Sequence, residues 1–187
     1  RLRFGEHVRI VIENYTNDFI LPSTVWEAAR FLCQYFESMK ITFTGKKVIE
    51  LGSGTGLVGI LAVLLGGDVT LTDLPLVLNQ IKDNVSANKL HRTKVHALLW
   101  GEDQKFFPND YDIILGSDIV YLECGYPSLI QTLQDLSNEN TVIYLSSRNW
   151  KPFDKLDFYL KTMGLWFSCL STKKQQLMNV HRSLKSY

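Results

Sequence analysis

The chain has 187 residues, 45% of them hydrophobic, which suits one folded domain with a full core. With 20 basic and 19 acidic residues the net charge is +1, so there is neither the basic field of a general nucleic-acid binder nor the acidic excess of a disordered tail. Cys33, Cys124 and Cys169 are odd in number and widely spaced, with no Cys-x-x-Cys pair, which predicts free or buried thiols in a reducing, cytoplasmic setting. No apolar run approaches the roughly 18 residues of a spanning helix, and no signal-peptide pattern is present, so no membrane association is expected.

In chain order, residues 7–13 read as a short strand. Asn14 to Pro22 read as loop. Thr24-Val25-Trp26-Glu27 matches a capping box, and Val25, Ala28, Ala29, Leu32 and Phe36 recur at helical spacing, predicting a helix to about Ser38. From Lys46 onward strands and helices alternate. The expected order is strand 47–51, helix 57–65 stopped by Gly66-Gly67, strand 69–72 ending at Asp73, and a helix from Pro75 to Asn88. Strand 95–99 ending at Trp100, strand 111–116 ending at Ser117-Asp118, helix 126–136, strand 141–145 and helix 153–163 come next. Segments 165–170 and 177–181 flank a polar turn and predict an antiparallel hairpin.

Such alternation implies an α/β fold with a doubly wound, mostly parallel sheet covered on both faces. The expected organisation is one domain over 1–187, with an N-terminal strand–helix extension over 1–45 and a cofactor-binding core over 46–187. In this architecture ligands sit at the carboxyl ends of the strands, where strand order reverses. Those ends read Gly52-Ser53-Gly54, Asp73, Trp100 and Ser117-Asp118.

Gly52-Ser53-Gly54-Thr55-Gly56 follows a buried strand and opens a helix, so backbone N–H groups and the helix dipole face whatever binds there. Asp73 lies about twenty residues on, at the next strand end, where a carboxylate accepts the hydroxyls of a ribose. The dinucleotide fingerprint wants Gly or Ala at the third site, which here is Leu57, and the Gly-Lys-Ser/Thr of a phosphate loop is absent. Glu50, just before the turn, would repel a pyrophosphate and suit a cation. A ribose, no phosphate and a positive charge together describe S-adenosyl-L-methionine. The acidic residue, the glycine turn and the acidic strand end resemble motif I and the following motif of the seven-strand methyltransferases. That superfamily has a seven-stranded, Rossmann-like sheet with a reversed last strand.

Asp118-Ile119-Val120-Tyr121 after the fourth strand resembles the signature of the methyltransferase family 16 lysine methyltransferases. Thr24–Ala29, Gly45–Gly59 and Leu99-Trp100-Gly101 resemble that family's other blocks. The resemblance is good from about Phe4 to Leu145. It implies cofactor contacts at Trp26, Gly52, Ser53, Gly54, Asp73, Trp100 and Ser117, beside Glu50, and a substrate-side pair, Asp118 and Tyr121. Gly66–Thr70, Thr72–Leu76 and Asp118–Glu123 are similar to the branch acting on elongation factor 1-alpha, which implies that factor as protein partner. An Hsp70-type chaperone, a small molecule, or a non-catalytic binding module are the alternatives. The absence of Asn/Asp-Pro-Pro-Tyr/Phe argues against amide or adenine modification. The scattered Lys46-Lys47, Arg92, Lys94 and Lys173-Lys174 argue against nucleic acid as direct substrate. His7, His91, His96 and His181 show no ligand spacing, so no metal is expected, and a monomer is.

Overall fold

The computed structural model describes residues 2–4, 8–12, 27–120, 123–148, 165–171 and 175–182. Nine strands and four α-helices occur among them: β1 (Leu2–Phe4), β2 (Val8–Ile10), α1 (Glu27–Ser38), β3 (Lys47–Leu51), α2 (Leu57–Leu64), β4 (Asp68–Asp73), α3 (Leu78–Ala87), β5 (Lys94–Ala97), β6 (Ile113–Ser117), α4 (Tyr126–Leu136), β7 (Val142–Arg148), β8 (Leu165–Ser171) and β9 (Gln175–Arg182). β1 and β2 pair as a small antiparallel ribbon, and the other seven strands form one sheet in the order β5-β4-β3-β6-β7-β9-β8. The pairs β3–β4, β4–β5, β3–β6 and β6–β7 are parallel, whereas β9 is antiparallel to both β7 and β8. The seven-stranded, mostly parallel sheet with its reversed terminal hairpin is therefore as the strand pattern predicts.

Two-residue alternation sorts the strand side chains between two cores. Val48, Val69, Leu71, Ile113 and Leu115 pack beneath α1, α2 and α3 with Leu32, Phe36, Ile60, Ile81 and Val85. Ile49, Leu51, Ile114, Ile143 and Leu145 face α4 and its Leu129, Ile130 and Leu133. Tyr144 joins the first layer, its ring 5.3 Å from that of Phe36 and nearly perpendicular to it. Strand order reverses between β3 and β6, so a crevice opens where their carboxyl ends, Leu51 and Ser117, diverge.

The differences from expectation are local. β1 is too short to carry a pattern of its own and exists through its pairing with β2. Pro75 opens a 3-10 turn, Pro75–Val77, before α3 begins. β5 stops at Ala97 because Asp103 Oδ2 accepts the Leu99 N–H at 2.9 Å and bends the chain out of the ladder. Trp100 therefore sits in a turn three residues past the strand. β6 begins two residues later than expected, and β7 runs on to Arg148. Thr24, Trp26, Tyr121 and the helix expected over 153–163 lie outside the described residues.

Candidate active site

β3 delivers its carboxyl end into the glycine turn. Gly52 has φ +60°, and a Cβ there would stand 2.8 Å from Ile119 Cγ2 and 3.4 Å from Trp100 Cζ2. Only glycine lets the turn pass between these two side chains. The turn thus meets the loop after β5 and the loop after β6 at one point, and Trp100 forms a wall beside it.

Asp73 closes the other side. Its Oδ2 accepts the Gly54 N–H at 2.7 Å and its Oδ1 accepts the Leu74 N–H at 2.7 Å. A carboxylate has about four lone-pair positions, so two hydrogen bonds leave capacity for a vicinal diol. Burial pushes its pKa upward against those two backbone bonds. The turn is braced from behind by Asn84 of α3, whose Nδ2 donates to Thr55 O at 2.9 Å.

Ser117 and Asp118 leave β6 on the far side of the crevice, both partly exposed. Asp118 adopts φ +57°, a left-handed conformation that Asp tolerates better than most residues. Its N–H donates to Ser146 O of β7 at 2.7 Å. Ile119 and Val120 then turn into the α4 core. The structure brings Gly52, Gly54, Asp73, Trp100, Ser117 and Asp118 to one end of the sheet.

Glu50 departs from expectation, and Ser53 has a structural role besides the expected contact. Glu50 does not line the crevice. It shares the face of β3 with Val48 and is fully buried under α2, where its Oε2 accepts the Gly59 N–H at 3.0 Å. Burial pushes its pKa up to about 8, with Asp73 adding to the rise, so at neutral pH it holds a proton rather than a full charge. Ser53 is likewise turned inward. Its Oγ accepts the Thr72 N–H at 3.1 Å, tying the end of β3 to β4.

Gly59, Asn84 and Ile119 are not among the expected site residues, yet each shapes the turn. A Cβ at Gly59 would lie 2.6 Å from Glu50 Oε2 and collide with Leu71, so this glycine makes the room that Glu50 occupies. The available signal was a glycine inside an otherwise aliphatic helix. Asn84 had one too, a polar residue on the Ile81–Val85 stripe of α3.

The glycine cradle and the Asp73 carboxylate fit an adenosyl cofactor. The helix terminus fits one without phosphate: the Gly59 N–H in α2's first turn is already taken from inside by Glu50 and is not free for a phosphate. Fold and site together define a protein of the doubly wound, reversed-hairpin kind with a place for a nucleoside cofactor. The chain belongs to the lysine methyltransferase family, whose model matches residues 5–163. It is 48% identical over 182 residues to the EEF1A lysine methyltransferase 3 of Xenopus tropicalis, covering 95% of this chain and 81% of that one. It is 47% identical over 173 residues to the protein N-lysine methyltransferase METTL21A of Danio rerio, covering 89% and 78%. In fold it is similar to a methyltransferase of Pyrococcus horikoshii, with a TM-score of 0.70 at 17% identity over 94% and 93% of the two chains. The protein is an S-adenosylmethionine-dependent protein-lysine N-methyltransferase.

Proposed function

We propose that the protein methylates a lysine of translation elongation factor 1-alpha in the cytoplasm, acting as a monomer. What supports this choice of factor is the identity to the Xenopus EEF1A lysine methyltransferase 3 along nearly the whole chain. The nearly equal identity to METTL21A keeps a second protein target, such as an Hsp70-type chaperone, as the alternative.

In this reading Asp73 holds the ribose hydroxyls, the backbone of Gly52–Gly54 lies against the cofactor, and Trp100, Ser117 and Trp26 complete its pocket. When bound, S-adenosylmethionine supplies an electrophilic methyl group for direct displacement by a neutral lysine amine. Asp118 receives the lysine as its ammonium through a charge-assisted hydrogen bond and orients it. It does not act as the base, because an ordinary carboxylate near pKa ~4 is a poor acceptor for a proton held at ~10. The proton leaves to water as the amine is desolvated. Tyr121 offers the incoming cation a π face worth roughly 0.5–2 kcal/mol. The chain's main contribution is alignment.

The test incubates the protein with labelled S-adenosylmethionine and either purified elongation factor 1-alpha or an Hsp70-type chaperone. Label on a lysine of the factor alone is expected, and label on the chaperone alone would move the proposal to the second target. Asp118→Ala should abolish transfer while leaving S-adenosylhomocysteine affinity within a few fold, and Asp73→Ala should weaken that affinity at least tenfold. Loss of both properties in Asp118→Ala would remove the substrate-side assignment.

A further inference from the structure

Ser146 lies near the end of β7, opposite Ser117 in the parallel register, and is 1% exposed. It is polar on a face otherwise given to packing: two residues earlier on that face, Tyr144 packs its ring against Tyr35 and Phe36 of α1. Its hydroxyl donates to the carbonyl of Ala28, in the first turn of α1, at 2.9 Å across 118 residues of chain. Its own carbonyl accepts the Asp118 N–H at 2.7 Å. Ala28 and Ser146 are both sealed from solvent, so water does not compete for the first bond.

One residue therefore bonds to both the first turn of α1 and the turn at the end of β6. The first turn of α1 follows directly on Trp26, an expected cofactor contact. The other element is the left-handed turn that presents Asp118. We propose that Ser146 is a positioning residue, locking the start of α1 to the Asp118 turn so that the first turn of α1 and the substrate-side carboxylate keep a fixed separation. The hydroxyl sets where α1 begins relative to β7. The carbonyl holds Asp118 in the backbone conformation that turns the chain at the end of β6. The proposal rests on the assignment of Asp118 to the substrate side and adds the group that fixes its geometry.

The experiment reads cofactor-product affinity and backbone exchange, neither of which needs turnover. Ser146→Ala removes the hydroxyl and adds no atoms, and Ser146→Thr restores it. Calorimetry with S-adenosylhomocysteine is expected to show a loss of roughly five- to tenfold for Ser146→Ala and less than twofold for Ser146→Thr. Hydrogen exchange should accelerate together in residues 27–32 and 117–120 of Ser146→Ala and stay unchanged in β3. In the unsubstituted protein, S-adenosylhomocysteine should slow exchange in both segments in parallel. Affinity within twofold for Ser146→Ala, or a response confined to one segment, would overturn the link. Asp118→Ala run alongside separates the two ideas. If it still transfers methyl groups, the substrate-side assignment falls, while the link is still judged by affinity and exchange.

Discussion

Glu50 is a buried acid whose protonation state is set by its surroundings. An unfolded glutamate releases its proton near pH 4.5, whereas the folded protein holds it up to about 8, because burial disfavours the charge. Between those values the folded state binds the extra proton, so stability falls as pH rises through the window and levels off above it. Glu50→Gln has nearly the same shape and no charge to bury, and its amide oxygen can still accept the Gly59 N–H. Denaturant melts from pH 5 to 8 should show wild-type stability declining by a few kcal/mol relative to Glu50→Gln. Parallel curves would mean that Glu50 is not the titrating group. The same burial explains the thiol of Cys33, pushed well up by desolvation with Glu50 nearby, which makes it an inert packing residue.

Among the elements, α3 acts as a brace with two ends. Asn88, at its C-terminus, receives the Val11 N–H on Oδ1 at 2.9 Å and donates from Nδ2 to Val11 O at 2.7 Å, tying the chain after β2 to the core. One turn earlier, Asn84 holds the glycine turn through Thr55 O. The two asparagines are alike in type and differ in what they secure. Asn88→Ala should cost about 1–3 kcal/mol and speed hydrogen exchange in residues 8–12, with S-adenosylhomocysteine affinity unchanged. Asn84→Ala should lower that affinity at least fivefold. If Asn88→Ala weakened binding equally, α3 would be transmitting strain rather than bracing separately at each end.

The whole molecule divides its labour between the two ends of the sheet. The carboxyl end carries the glycine turn, Asp73 and Asp118. The amino end carries Asp112, which accepts the Lys47 N–H at 2.8 Å and pairs with Lys46 at 3.2 Å. The ion pair is half exposed and contributes little, whereas the backbone bond closes the entry to β3. Lys46→Ala should change stability by less than about 0.5 kcal/mol. Asp112→Ala should cost about 1–2 kcal/mol. Neither should alter cofactor affinity or turnover, measured by calorimetry and methyl transfer, and a kinetic defect in Asp112→Ala would blur the division.

What could be read from the chain alone follows from local periodicity. Aliphatic runs bounded by glycine marked β3 and α2, the Val25–Phe36 spacing marked α1, and the described helix and strand faces follow their 3.6 and 2.0 repeats. Local chemistry also singled out the glycine turn at a strand end and the acidic residue Asp73 at the next strand end, because a close-approach loop needs glycine and the spacing between two neighbouring strand ends is set by the strand–helix–strand unit. Three other features depended on which groups face each other across the fold. Glu50 sits behind the turn because strand alternation meets the gap at Gly59. The Ser53 hydroxyl is spent on Thr72 of the neighbouring strand. Ser146 reaches Ala28 only because β7 is packed beneath α1. Periodicity is a property of one element at a time, whereas these bonds join different elements, between residues 9, 19 and 118 positions apart, and only the packed structure decides which of them form.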